Sequence, residues 1–393
     1  MAEKRKNFKI KDYINYLLVL ALAIPFTVIA YTSNIPRSTA DLLCQIGFSM
    51  ILAISLNLVV GFLGELSLGH AGFMCVGAYL GCYCAKLMEP LMPLPLVLML
   101  SMLIGGLCAA VFGLLIGLPT LRLKGDYLAI VTLAFGEIIR NIFRNLPKEL
   151  FGGAIGLSTI NYGRHLFIAA FIMVLVTVFV SQNLMKSKHG RAIQAIRDNE
   201  IAARAMGTNV TYYKLVVFVI AAFFAGIAGV IYGFNTTPVA YSKFSFNYSI
   251  EILVMVVLGG MGNITGSVIA SALLTFINIK LTTTLSGDLA ALKYLIYALI
   301  LILMVMWNNA PKLKNVREKY SLHNFISKFL EKRKPVAVKE NGGVEAPTNA
   351  AWSKIPSKIK MDAILSADVA PDKTYEPEKP KKTNGNGKGD AEK

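Results

Sequence analysis

Runs of apolar residues about as long as a bilayer is thick recur throughout this chain, and they leave it few folds to choose from. Residues 42–62, 94–118, 166–184 and 215–234 contain no charged side chain at all. A helix satisfies its own backbone groups, so it is the way such runs cross hydrocarbon. A further run, 250–282, is apolar but broken by glycines. Residues 127–145 are apolar in their first half and crowded by Glu137, Arg140, Asn141 and Arg144 in their second. The expected fold is an all-α polytopic membrane protein with about 8–10 transmembrane helices, some of them broken at glycines. A disordered cytoplasmic tail follows.

Charge sets the orientation. Only 16% of the 393 residues are charged, yet the net charge is +17, and the basic residues gather near the N-terminus, in 186–214 and in the tail. Basic residues beside membrane spans stay in the cytoplasm. The distribution therefore suits anionic membrane lipid and a cytoplasmic N-terminus (1–13) better than nucleic acid. The first span, 14–31, is too long for a cleaved leader and lacks a small-residue cleavage site, so it is expected to remain. The transmembrane domain then covers 14–308. Counting crossings from an inside N-terminus returns the chain to the cytoplasm at Lys186, provided that 127–145 crosses. Cys44, Cys75, Cys82, Cys84 and Cys108 all lie in apolar stretches without zinc spacing and read as packing residues, so no metal site is expected.

Residues 185–214 form the longest polar interruption before the tail. Ala192, Ile193, Ala195 and Ile196, then Ile201, Ala202, Ala205 and Met206, recur at helical spacing. Asp198 or Asn199 can cap the second segment, and Gly207 can stop it. A short cytoplasmic helix with one apolar face suits a partner's groove, or else the lipid headgroups.

Two glycine-rich breaks interrupt the apolar pattern, 64–72 (GELSLGHAG) and 259–266 (GGMGNITG). Each follows a similar approach, LNLVVGFLGE and LVMVVLGGMG, which makes a faint internal repeat. Irregular backbone at membrane depth survives only where protein buries it or where it lines a polar cavity. Matching breaks in two halves point to a transporter's solute path. Asn57 before the first break, Glu65, Ser67 and His70 within it, Glu137, and Gly259, Gly260 and Gly262 of the second are the candidate path residues. Ionisable groups inside spans are functional candidates by default, although Glu137 and Arg140 also suit a pair along one helix. The glycine pairs Gly77/Gly81, Gly113/Gly117 and Gly229/Gly233 read as helix-packing devices.

Residues 309–334 alternate lysines with Val316, Tyr320, Phe325, Ile326, Phe329 and Leu330, as an amphipathic juxtamembrane segment would. Residues 335–393 are poor in large apolar groups and are expected to be disordered. No catalytic set converges, and NGNGKGD near the end lacks the spacing of a phosphate-binding loop. The chain is therefore not expected to be an enzyme or to hold a cofactor.

Four collinear stretches carry a resemblance: LNLVVGFLGELSLGHAGFMCVGAYLG, LRLKGDYLAIVTLAFGEIIRNI, GRAIQAIRDNEIAARAMGTNVTYYKL and VLGGMGNITGSVIA. Together, over about residues 42–303, they resemble the LivM-type inner-membrane permease of branched-chain amino acid ABC transporters. The resemblance implies a bacterial inner-membrane importer subunit with both termini cytoplasmic. Its implied partners are a paralogous permease, two cytoplasmic ATP-binding subunits that hold ATP and Mg, and a periplasmic or lipid-anchored solute-binding protein. It also implies an EAA-type coupling loop at 185–214, with Arg191, Arg197, Asp198, Glu200, Ala203 and Gly207 as its residues. Ile201 stands where many members have alanine, and Glu65 where glutamine is expected. The same architecture serves urea, short amides and other amino acids. An ion-coupled carrier or channel is the alternative of another class.

Overall fold

The computed structural model describes residues 15–21, 23–25, 27, 36–121, 123, 125–160, 162–284, 298–299 and 302. All belong to one compact unit, Met1–Lys314; a second, Asn315–Lys393, lies outside the described residues. So do 1–13, most of the expected last span 292–307, Arg122 and Lys124, and the two tail segments 309–334 and 335–393.

The described residues are helical apart from loops and one isolated bridge, Leu157 to Val239, as expected of an all-α membrane protein. α1 (Asn15–Pro25) covers part of the first expected span. α2 (Arg37–Asn57) continues as a π-helix through Leu58–Leu63. It is the central element: nearly all of its apolar stretch is buried, because α7 (Leu166–Lys186), α10 (Val210–Asn235), α11 (Phe246–Gly259) and α12 (Ile264–Thr284) all pack on it.

A second group joins α10 to α3 (His70–Met88) and α4 (Leu94–Thr120). The paired glycines sit in this seam. A Cβ on Gly77 would lie 2.6 Å from the Gly226 carbonyl carbon, and one on Gly113 2.7 Å from Ala222 Cβ. Small residues here let backbones approach within van der Waals contact, and that packing replaces the hydrophobic drive that is missing in lipid. Gly77 faces Gly226 and Cys82 faces Gly233, so α3 and α10 run in the same direction; α4 runs against them, with Gly117 beside Leu215. Leu96, Met99, Leu103, Leu107, Leu114 and Leu118 of α4 point outward, as suits a lipid-facing stripe.

Six helices among the described residues are long and apolar enough to cross a membrane: α2 with its π extension, α3, α4, α7, α10 and α12. α5 (Asp126–Asn145) is 20 residues long but too charged to count by composition. The broken run 250–282 resolves into an antiparallel hairpin. Its arms are α11, with 14 residues or about 21 Å, and α12, with 21 residues or about 32 Å. One arm is short and the other full length.

Candidate functional site

The first break is shorter than its glycines suggest. The π-helix ends at Gly64, whose φ of 80° favours a residue without a Cβ. Residues 64–69 are irregular, and helix resumes at His70, which opens α3 rather than lying in the break. Side chains on three other helices hold this stretch. Thr132 Oγ1 on α5 accepts from the Leu68 N–H at 3.0 Å, and Ser249 Oγ on α11 accepts from the Ala71 N–H at 3.1 Å. His70 Nε2 lies 2.8 Å from Ser55 Oγ on α2. The Ser55 hydroxyl already donates to the Leu52 carbonyl at 3.0 Å, so His70 is the donor to it. Ser67 is buried, and its hydroxyl has no partner among the described residues.

The second break narrows to the turn between α11 and α12, where Gly260 and Gly262 take left-handed φ values of 90° and 81°. Gly259 and Gly266 press together at its base. Asn57, the last α-helical residue before the π segment, ties this turn to α2. Its Oδ1 accepts from the Gly262 N–H at 2.9 Å and its Nδ2 donates to Ser267 Oγ at 3.0 Å. A Cβ on Gly61 would overlap the Gly262 nitrogen, so the two breaks meet across one face of α2. Beside the turn, Asn15, Gln182, Lys186, Gln194, Asn263 and Thr265 line a cavity of about 310 Å³.

Glu137 belongs to a different part of the site. It pairs with Arg140 at 2.8 Å along α5 and accepts the Phe246 N–H at 3.0 Å, so it satisfies an orphan donor at the start of α11. Arg140 Nε is buried without a partner among the described residues.

The 185–214 connection folds as α8 (Lys188–Asp198) and α9 (Glu200–Ala205). Ser187 caps α8, and Asn199 caps α9 by accepting the Ala202 N–H at 3.0 Å. Gly207 follows with a φ of 81° and stops α9. Ile193 and Ile196, expected to face a partner or lipid, are instead buried on the bundle, as is Ala203. The bundle itself offers the apolar surface they need: α8 packs on α7, the π segment and α10. The outward apolar residues are Ile201 and Met206, 78% and 86% exposed. Arg191 and Asp198 are exposed. Arg197 lies against both breaks: its Cγ is 3.0 Å from the Cβ position of Gly64, and a guanidinium nitrogen is 3.2 Å from that of Gly262.

Sequence reasoning counts Lys214 among the basic residues of the 185–214 connection but gives it no role in the site. It sits in the first turns of an apolar span and is 2% exposed. Its ammonium contacts Glu65, from the first break, and Glu200 at 3.3 Å, from α9; Glu200 also holds Arg204 at 2.8 Å. A lone lysine inside an apolar-flanked helix was the available signal. Glu65, grouped by sequence with the path residues, thus shares a cation with α9 of the 185–214 connection. Thr132, Ser249 and Ser267 were missed too, since each is an ordinary hydroxyl until its partner is known.

A family profile, "Branched-chain amino acid transport system / permease component", matches residues 38–305. The chain belongs to this family. A high-affinity branched-chain amino acid transport system permease protein LivM from Escherichia coli K12 is 34% identical over 357 residues, covering 81% of this permease and 79% of its relative. A probable LivM of Methanocaldococcus jannaschii is 27% identical, covering 68% and 90%. The ribose import permease RbsC of Escherichia coli K12 is 27% identical, covering 73% and 81%. No solved structure matches. This permease is a multi-pass membrane protein of a transport family.

Proposed function

We propose that this permease imports leucine, isoleucine and valine across the bacterial inner membrane, as the membrane subunit of an ATP-driven importer. The observation that carries the reading is the 34% identity to a branched-chain amino acid permease over 81% of the chain. ATP is hydrolysed on two cytoplasmic subunits. Solute passes between this chain and a paralogous permease, and a periplasmic or lipid-anchored protein delivers it. α9 is the docking element. Its exposed Ile201 and Met206 supply apolar contact, and its inner side is fastened to the bundle through Ala203 and Glu200. The α8–α9 end is then cytoplasmic, with both termini on the same side. Asn57, Ser67, His70, Glu137 and the glycines Gly259, Gly260 and Gly262 border the path. There, polar groups and irregular backbone are enclosed by protein.

A mild-detergent pull-down on tagged chain, followed by leucine uptake in vesicles loaded with ATP, tests this. Recovery of two ATP-binding subunits and a second permease, with uptake that needs ATP and is competed by isoleucine and valine, is expected. Uptake that ignores ATP but follows an ion gradient would replace the reading with an ion-coupled carrier. Competition by urea or ribose alone would keep the architecture and change the solute.

A further inference from the structure

We propose that Lys214 is the positioning residue through which movement of α9 reaches the first glycine break. The inference rests on the docking reading of α9 and deepens it. Three chain segments meet at one ammonium. Lys214 comes from the start of α10, Glu200 from the first residue of α9, and Glu65 from the residue after Gly64. Lys214 is 3% exposed at its side chain, and the two carboxylates are 13% and 19% exposed. A charge so enclosed needs its counter-charges close by, so drawing away either carboxylate is opposed by the ammonium it leaves less well compensated. A shift of α9 therefore carries Glu65 with it.

Glu65 sits where such a shift is felt. Its own N–H is bonded to the Val59 carbonyl at 3.1 Å, in the last wide turn of the π segment. Beyond it, residues 66–69 reach the Thr132 hydroxyl and His70. The neighbouring Arg197 side chain lies along Gly64 and Gly262 together, so the end of α8 presses on both breaks while α9 holds the first by charge. Left-handed glycines at Gly64 and Gly262 give each break a backbone freedom that a residue with a Cβ would lack. The arrangement joins a docking helix to two hinges.

The test uses the full assembly: this permease with its co-purifying subunits, reconstituted in vesicles. Radiolabelled leucine moved per ATP hydrolysed is the readout. Glu65→Gln is expected to lower that ratio about tenfold, within the range of ordinary site-to-site coupling, with the ATP-binding subunits still recovered. Lys214→Met is expected to do at least as much, and Lys214→Arg to restore most of it. A residue that only stabilises the fold would lower accumulation and leave the ratio intact. An unchanged ratio in Glu65→Gln, or a Lys214→Arg variant no better than Lys214→Met, overturns the proposal. If Lys214→Met fails to accumulate, Glu65→Gln decides, since Glu200 still holds Lys214 there. The unsubstituted chain in the same vesicles separates the two readings. Loss of ATP-dependent uptake in it removes the permease reading, while normal uptake with an unchanged variant ratio removes only the Lys214 link.

Discussion

Gly77→Ala is expected to destabilise this permease, whereas Gly136→Ala, an identical change on another helix, is expected to leave it intact or firmer. The difference lies in what the new methyl meets. At Gly77 it would fall 2.6 Å from the Gly226 carbonyl carbon, against an ordinary contact of 3.4–4 Å. Both partners are helix backbone, so neither can turn aside and α3 must part from α10 by about 1 Å. A gap of that size forfeits a quarter to a half of the attraction at each contact along the seam. Overpacking of this kind costs about 1–3 kcal/mol, less about 0.5–1 kcal/mol that alanine returns inside a helix. Rigid backbone partners put the cost in the upper half of that range, so the net loss is about 1–2.5 kcal/mol, a fall of about 1–4 °C in the unfolding midpoint of a chain this long. At Gly136 the methyl would meet Gly69 Cα at 3.6 Å, an ordinary contact, so only the gain of about 0.5–1 kcal/mol remains. Thermal unfolding in mild detergent, followed by circular dichroism, reads both. A Gly77→Ala midpoint equal to or above that of Gly136→Ala would refute the close approach of α3 and α10.

Three further substitutions probe the site. Asn57→Ala removes the acceptor of the Gly262 N–H and is expected to cost about 1–3 kcal/mol; a thermal midpoint equal to wild type would mean that the second break does not depend on α2. Ile201→Asp and Met206→Asp, at positions 78% and 86% exposed, are expected to change stability by no more than about 0.5 kcal/mol while lowering recovery of ATP-binding subunits in a pull-down. Full recovery would place docking elsewhere. Glu137→Ala strands both Arg140 and the Phe246 N–H and is expected to cost about 2–4 kcal/mol, while Glu137→Gln keeps the acceptor and is expected to cost about half as much. Equal losses in the two would show that the charge matters and the N–H contact does not.

The sequence by itself determined the class of fold, the places where apolar helices run and the two points where they break. These are local properties: a bilayer demands about twenty apolar residues per crossing, and a glycine cluster is visible wherever it stands. The caps of the 185–214 connection were equally legible, since Asn199 and Gly207 act on neighbours a few residues away. What only the tertiary structure decided is which polar groups meet. Glu65 and Lys214 are 149 residues apart in sequence, and Asn57 and Gly262 are 205 apart. His70 looks like part of a loop until α3 is seen to begin there, and Ile193 and Ile196 form an outward-looking stripe until the bundle supplies a surface for it. The physical reason is that apolar periodicity states that a face is buried but not against what. The partner is set by how closely helices approach, and here glycine contacts such as Gly77 with Gly226 and Gly61 with Gly262 fix that approach.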